Sequence, residues 1–213
     1  MGTENKKEED IMTGENCLDQ STYALSKKRE IMGISLISFG IFLVPLIIPQ
    51  ILSLVFGANS FIANNSQYIV GTIVNTALIM TAIHIEGWKK ITGIITLPSL
   101  SALAGGLVFS IGSIYTLYMI PAVWIGNFLI IYLYRKLFVQ KHLSYIISST
   151  AAILLKAGVI FAGYNLLLAV QVIPSGSKVA AMLFSAMGLN QVITAVCGSI
   201  LAFAIFKLTY RKD

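Results

Sequence analysis

Residues 97–136 read LPSLSALAGGLVFSIGSIYTLYMIPAVWIGNFLIIYLYRK, a run that carries no charge until the adjacent Arg135 and Lys136 close it. A single membrane crossing needs about 20 predominantly apolar residues, so this run is long enough for two. It predicts the end of one membrane helix, a tight reversal near 111–113, and a second helix that returns to the starting side. The two closing charges then mark that side as the cytosolic one, because basic residues concentrate there.

The rest of the composition agrees with a membrane chain. The 213 residues are 56% hydrophobic and only 11% charged, with a mean hydropathy of +0.82, whereas soluble domains are about 25% charged. The net charge of +6 would suggest nucleic acid in a soluble protein, but most basic residues here sit at the ends of apolar runs and set topology instead. Cys17 lies in a polar N-terminal stretch and Cys197 in the last apolar run. Two separated thiols make neither a disulfide nor a zinc or iron–sulfur site.

Outward from the central pair, the chain divides into a cytosolic polar tail over 1–30, a six-helix membrane domain over 31–207 and a short cytosolic tail over 208–213. The first apolar run, 31–56, is longer than a signal-peptide core and follows a long polar tail, so it is expected to be retained as the first helix, kinked by Pro45 and Pro49. The uncharged connection GANSFIANNSQ (57–67) leads to a second span over 68–85. The third span is 91–111, with Pro98 and two small-xxx-small pairs, Ser101 with Gly105 and Ala102 with Gly106, that permit close helix approach. The fourth is 114–134, a basic loop covers 135–142, the fifth span is 145–170 and the sixth 179–206. Of the 15 Lys and Arg, one side collects Lys6, Lys7, Lys27, Lys28, Arg29, Lys89, Lys90, Arg135, Lys136, Lys141, Lys207, Arg211 and Lys212. The other side has Lys178, and Lys156 lies inside the fifth span. This asymmetry predicts an all-α membrane protein with six crossings and both termini cytosolic.

Lys156 is the residue that most needs an explanation. A lysine at mid-membrane costs about 2.5–3.5 kcal/mol on insertion scales, and no Asp or Glu lies in any predicted span. Its partner is either a polar group on a neighbouring helix or an anionic ligand, and the sequence leaves both open. Asn165, nine residues on, faces away from it, whereas Gly163, seven on, shares its face. The other polar groups at membrane depth include Asn75, Tyr115, Tyr118, Tyr164, Asn165, Asn190 and Gln191, which fall in the outer half or near the middle, with Asn127 and His84 in the inner half. A pocket open to the outside would have this distribution, and with Lys156 these seven form the expected substrate-binding set. His84 and Glu86 make neither a zincin motif nor a triad, and no Walker A or GxGxxG sequence occurs, so no cofactor, metal or catalytic residue is expected.

Four segments carry a resemblance: YIVGTIVNTALIMTA, GIITLPSLSALAGGLVF, YMIPAVWIGNFLIIYLY and AAILLKAGVIFAGY, within about 67–170. Together they resemble the substrate-binding S components of bacterial energy-coupling factor (ECF) transporters, most specifically in the Ile-Pro followed by Gly126-Asn127. The resemblance implies six membrane helices in the bacterial plasma membrane and capture of a vitamin, cofactor precursor or haem-like compound from outside. It also implies docking on a membrane scaffold subunit driven by two ATPase subunits. The Ala-xxx-Ala docking signature that such proteins often carry in the first helix is missing; Gly33 and Gly40 stand there instead. Short membrane proteins similar to this one are sometimes labelled iron hydrogenase, a chemistry that the thiol count argues against. The alternative is a structural or assembly membrane protein without transport activity, whose polar residues tie helices together. An intramembrane enzyme is disfavoured, because no carboxylate pair or metal cluster lies in the spans.

Overall fold

The computed structural model describes residues 31–85, 87–105 and 113–210, and every regular element among them is helical. In chain order these are α1 (Ile31–Phe56), the short α2 (Phe61–Asn64), α3 (Ser66–His84), α4 (Trp88–Gly105), α5 (Ser113–Leu133), a π-helical segment (Tyr134–Gln140), α6 (Tyr145–Ala169), α7 (Lys178–Met187) and α8 (Leu189–Tyr210). Five stretches are long and apolar enough to cross a bilayer: Ile31–Phe56, Ser66–His84, Leu117–Gln140, Tyr145–Ala169 and Lys178–Thr209. The chain is a helical membrane protein. Internal contacts divide it into Met1–Ile37 and Ser38–Asp213; of the first unit only the opening turns of α1 are described.

Within the second unit, serines start three of the helices. Ser60, Ser144 and Ser177 each accept, through the side chain, the backbone N–H three residues on, at 3.1, 3.3 and 3.1 Å, so an otherwise unserved donor of each first turn is satisfied.

Small residues set the closest packing. A Cβ added at Gly198 on α8 would lie 2.6 Å from Asn75 Cβ on α3, and one at Gly71 on α3 would lie 2.8 Å from the Thr194 methyl on α8. Likewise Gly163 on α6 meets Ala122 Cβ at 2.6 Å, and Gly126 on α5 meets Ile160 at 2.8 Å. The pairs α3/α8 and α5/α6 therefore approach more closely than side chains would allow, the role small residues play between membrane helices. Ser101, one of the small residues singled out on α4, is buried and donates its hydroxyl to the Phe42 carbonyl of α1. Gly106 lies outside the described residues. Around Gly40 an added Cβ would meet nothing within 4 Å.

Among the described residues, Lys90, Arg135, Lys136, Lys141 and Lys207 gather at one end. Arg135 donates to the Ile85 carbonyl and lies 4.9 Å over the Trp88 ring, which joins the end of α3, the start of α4 and the end of α5. Phe138 packs edge-on against Phe206 at 5.5 Å, which adds the end of α8. Lys178 opens α7, beyond the far end of the 25-residue α6, whose length is about 37 Å at 1.5 Å per residue.

The structure departs from the sequence expectations in three places. The expected basic loop over 135–142 is mostly a π-helical segment, Tyr134–Gln140, closed by the Lys141 N–H on the Lys136 carbonyl at 3.1 Å, so the span continues wider instead of ending. The connection 57–67 contains α2. The sixth span, expected to be one helix, is broken at Gly188, whose φ of −99° and ψ of −106° are not helical. A Cβ there would sit 2.7 Å from the Phe184 carbonyl oxygen, so the break needs a residue without a side chain, and the Gln191 side-chain amide donates to the Ala186 carbonyl at 3.1 Å to serve the end of α7. At the third expected span, α4 is described to Gly105 and its apolar part, Lys90–Ala104, is shorter than the five stretches above; the expected last turn and the reversal before Ser113 lie outside the described residues.

Candidate functional site

The buried residues of α6 include Ser149, Ala152, Ile153, Lys156, Ile160 and Tyr164, spaced by three and four, so they form one inward face. Lys156 is therefore carried to the interior by the helix itself and is only 3% exposed. Its ammonium donates to Asn75 Oδ1 on α3 at 2.5 Å and to Asn127 Oδ1 on α5 at 2.9 Å. No acidic residue occurs anywhere in 31–212 except Glu86, so the charge is met by amide dipoles. Gly126 makes this reach possible: a Cβ there would come within 3.3 Å of Lys156 Cγ.

Each asparagine is itself anchored by its nitrogen. Asn75 Nδ2 donates to Thr194 Oγ1 on α8 at 3.3 Å, and Asn127 Nδ2 to the Ile95 carbonyl on α4 at 3.2 Å. Pro98 has no N–H to offer the carbonyl four residues back, and Asn127 serves the carbonyl next to that gap. With both amides fixed in this way, both of their oxygens are turned to Lys156. Four helices thus converge on one ammonium group carried by a fifth.

Beside this cluster is a cavity of about 140 Å³, lined by residues of α1 and α3 through α8. It extends from Gln67 in the first turn of α3 to Lys156, Asn75 and Asn127, with Asn190, Gln191 and Thr194 from the start of α8 on one wall and Ser99 on another. Gln67 belongs to the end of α3 remote from Arg135, so the cavity leads away from the basic end. Two of its polar atoms are buried without a hydrogen-bond partner, Ser99 Oγ and Asn190 Nδ2. The Asn190 oxygen is already occupied, accepting from the Tyr68 hydroxyl at 2.7 Å. Two further unpartnered atoms, Ser148 Oγ and Trp124 Nε1, belong to residues outside this lining.

Of the eight expected substrate-binding residues, Asn75, Lys156, Asn190 and Gln191 line the cavity; Tyr115, Tyr118, Tyr164 and Asn165 do not. Tyr164 donates its hydroxyl to the Ala180 carbonyl at 3.1 Å inside an apolar cluster against which Tyr115 packs. Tyr118 is exposed, and the exposed Asn165 bonds back to the Phe161 carbonyl of its own helix at 2.8 Å, which agrees with its placement opposite Lys156. Asn127, Thr194, Ser99 and Gln67 join the lining beyond the expected set. Asn127 and Thr194 carry a sequence signal, as polar groups within a span, and the expected depth of Asn127 sets it apart from the others.

A second buried polar cluster lies toward the basic end. Tyr134 and Ser149 each reach Ser199 Oγ, at 2.8 and 2.5 Å, and Tyr145 donates to the Ser199 carbonyl at 2.7 Å. All four hydroxyls are partnered. Among the described residues no group of three or more His, Cys, Asp or Glu comes together. Comparison with family models, with curated proteins and with solved structures finds no match to this chain.

Proposed function

We propose that this chain is the membrane-embedded substrate-binding subunit of a nutrient uptake system, with six crossings, both termini in the cytosol of a bacterial cell, and the cavity facing outward. The observation that carries this reading is the pair of buried, unpartnered polar atoms, Ser99 Oγ and Asn190 Nδ2, on the walls of one cavity. Buried polar groups are nearly always hydrogen-bonded, and leaving one unmet costs about 1–3 kcal/mol. Two such costs in one void favour a guest that completes both bonds. The volume of about 140 Å³ is close to that of a cavity that admits a single six-membered ring, which suits a small vitamin or precursor better than a haem-like compound. In the resemblance-based scheme, an energy-coupling module of one membrane scaffold and two ATPases drives release inside, because this chain has no nucleotide-binding motif of its own.

The alternative, a structural or assembly protein, draws on Lys156 already having two amide acceptors, which explains that residue without a ligand but leaves Ser99 and Asn190 unexplained. Purification from native membranes in mild detergent tests the proposal. ATP-hydrolysing subunits should co-elute in stoichiometric amount with the chain; a chain that elutes alone from membranes expressing it at its natural level contradicts the transport role.

A further inference from the structure

The Lys156 network and the unpartnered atoms of the cavity wall leave mainly donors free, and that bias, with the charge, identifies a ligand class. Lys156 brings three N–H donors and spends two, on Asn75 Oδ1 and Asn127 Oδ1. The Asn75 and Asn127 nitrogens are spent on Thr194 and Ile95, and the Thr194 hydroxyl donates to the Asn190 carbonyl at 2.8 Å. Left unspent among Lys156, the three asparagines, Thr194 and Ser99 are the third ammonium proton, the Asn190 Nδ2 amide and the Ser99 hydroxyl. All three can donate, and the only one that can also accept is Ser99. The Asn75, Asn127 and Asn190 oxygens are turned onto Lys156 or Tyr68; the Gln67 and Gln191 amides also border the void, Gln191 with its nitrogen donated to the Ala186 carbonyl.

The charge is equally one-sided. The site carries one formal cation and no carboxylate, in a chain whose 31–212 stretch contains a single acidic residue, Glu86, well removed in sequence from every lining residue. Dipoles of two amides attenuate that charge without neutralising it. An incoming anion regains by charge-assisted hydrogen bonds, which are roughly twice as strong as neutral ones, what it loses on leaving water. An incoming cation meets repulsion from Lys156.

We infer that the cavity selects a small monoanion, a one-ring carboxylate or its equivalent, whose acceptor oxygens bond to Lys156, Asn190 Nδ2 and Ser99 Oγ. The inference rests on the binding-subunit reading for its biological sense, but its chemistry can be measured on the isolated chain.

Three probes of similar shape and different charge decide it: benzoate, benzamide and benzylamine, titrated calorimetrically against the purified full chain in lipid nanodiscs. Benzoate should bind at least about tenfold more tightly than benzamide, the scale of one hydrogen bond to a charged group, and benzylamine should bind more weakly than either. In Lys156→Met the preference for benzoate over benzamide should fall to near unity. Ser99→Ala removes a hydroxyl with no protein partner, so its melting temperature should hold while benzoate affinity drops about threefold, as expected for one neutral hydrogen bond; it decides the matter if Lys156→Met does not fold. Equal or tighter binding of benzamide, a benzoate preference that survives Lys156→Met, unchanged benzoate affinity in Ser99→Ala, or no binding of any probe overturns the inference. Binding of benzamide without an anion preference would leave the uptake reading standing, and absence of ATPase partners would remove that reading while leaving an observed anion preference intact.

Discussion

The molecule buries two polar clusters, and they are built to opposite rules. Around Ser199, four residues from the end of α5, the start of α6 and α8 share hydroxyl and carbonyl bonds of 2.5–2.8 Å, and each side chain is satisfied by the others. Around Lys156 the partners are equally well placed, yet a cavity adjoins them and two neighbouring polar atoms stay unmet. A closed network contributes stability and a fixed helix register; one left open retains chemistry for something that is not part of the chain. Burial and polarity alone do not separate the two. The inventory of unspent donors does.

The sharpest way to break this contrast is at the joint between the clusters. Gly198 adjoins Ser199 in sequence and presses on Asn75, with an added Cβ falling 2.6 Å from Asn75 Cβ and 3.0 Å from backbone atoms of Thr72 and Thr76. Backbone cannot give way as a flexible side chain can, so Gly198→Val should cost about 3 kcal/mol, the upper part of the usual overpacking range, and disturb both clusters together. Thermal unfolding in detergent reads this; a melting temperature equal to that of the parent would mean that α3 and α8 are not packed as described.

A smaller effect separates the clusters from each other. Tyr134→Phe deletes one hydroxyl of the closed network and leaves Ser199 Oγ still bonded to Ser149. It should cost about 1 kcal/mol of stability, the net worth of one hydrogen bond, with no change in ligand affinity. Ligand affinity that falls along with stability would show the two clusters to be coupled. Smallest of all is Gly40→Ala on α1. Nothing lies within 4 Å of its added Cβ, so the change should stay within about 0.5 kcal/mol, in contrast to the glycine of the α3/α8 seam.

The sequence made some of this legible and hid the rest for physical reasons. An uninterrupted apolar run is a strong signal, so most span boundaries came within a few residues: 145–170 was expected where α6 covers Tyr145–Ala169. The break at Gly188 was not visible, because a lone glycine in an apolar segment is as often a packing residue as a hinge. Lys156, Asn75, Asn190 and Gln191 stood out because amides and charges are rare at membrane depth. Tyr115, Tyr118, Tyr164 and Asn165 were grouped with them because depth can be counted along a span, whereas the inward face cannot be read from helices that are apolar on every side. Asn127 was set apart by the same depth count, which takes no account of the reach of a long lysine side chain. Ser99 has no signature at all; only its missing partner together with its place on the cavity wall distinguishes it from the other serines of the membrane helices.

The central claim is that the cavity beside Lys156 is occupied by a small solute in the working protein. Native mass spectrometry of the chain released gently from its own membranes, beside Lys156→Met prepared the same way, tests it most directly. The account predicts a discrete small-molecule adduct on the parent chain that is lost from Lys156→Met while its folded charge-state distribution is kept. A parent chain that carries no adduct, or the same adduct at equal occupancy on both proteins, would contradict it.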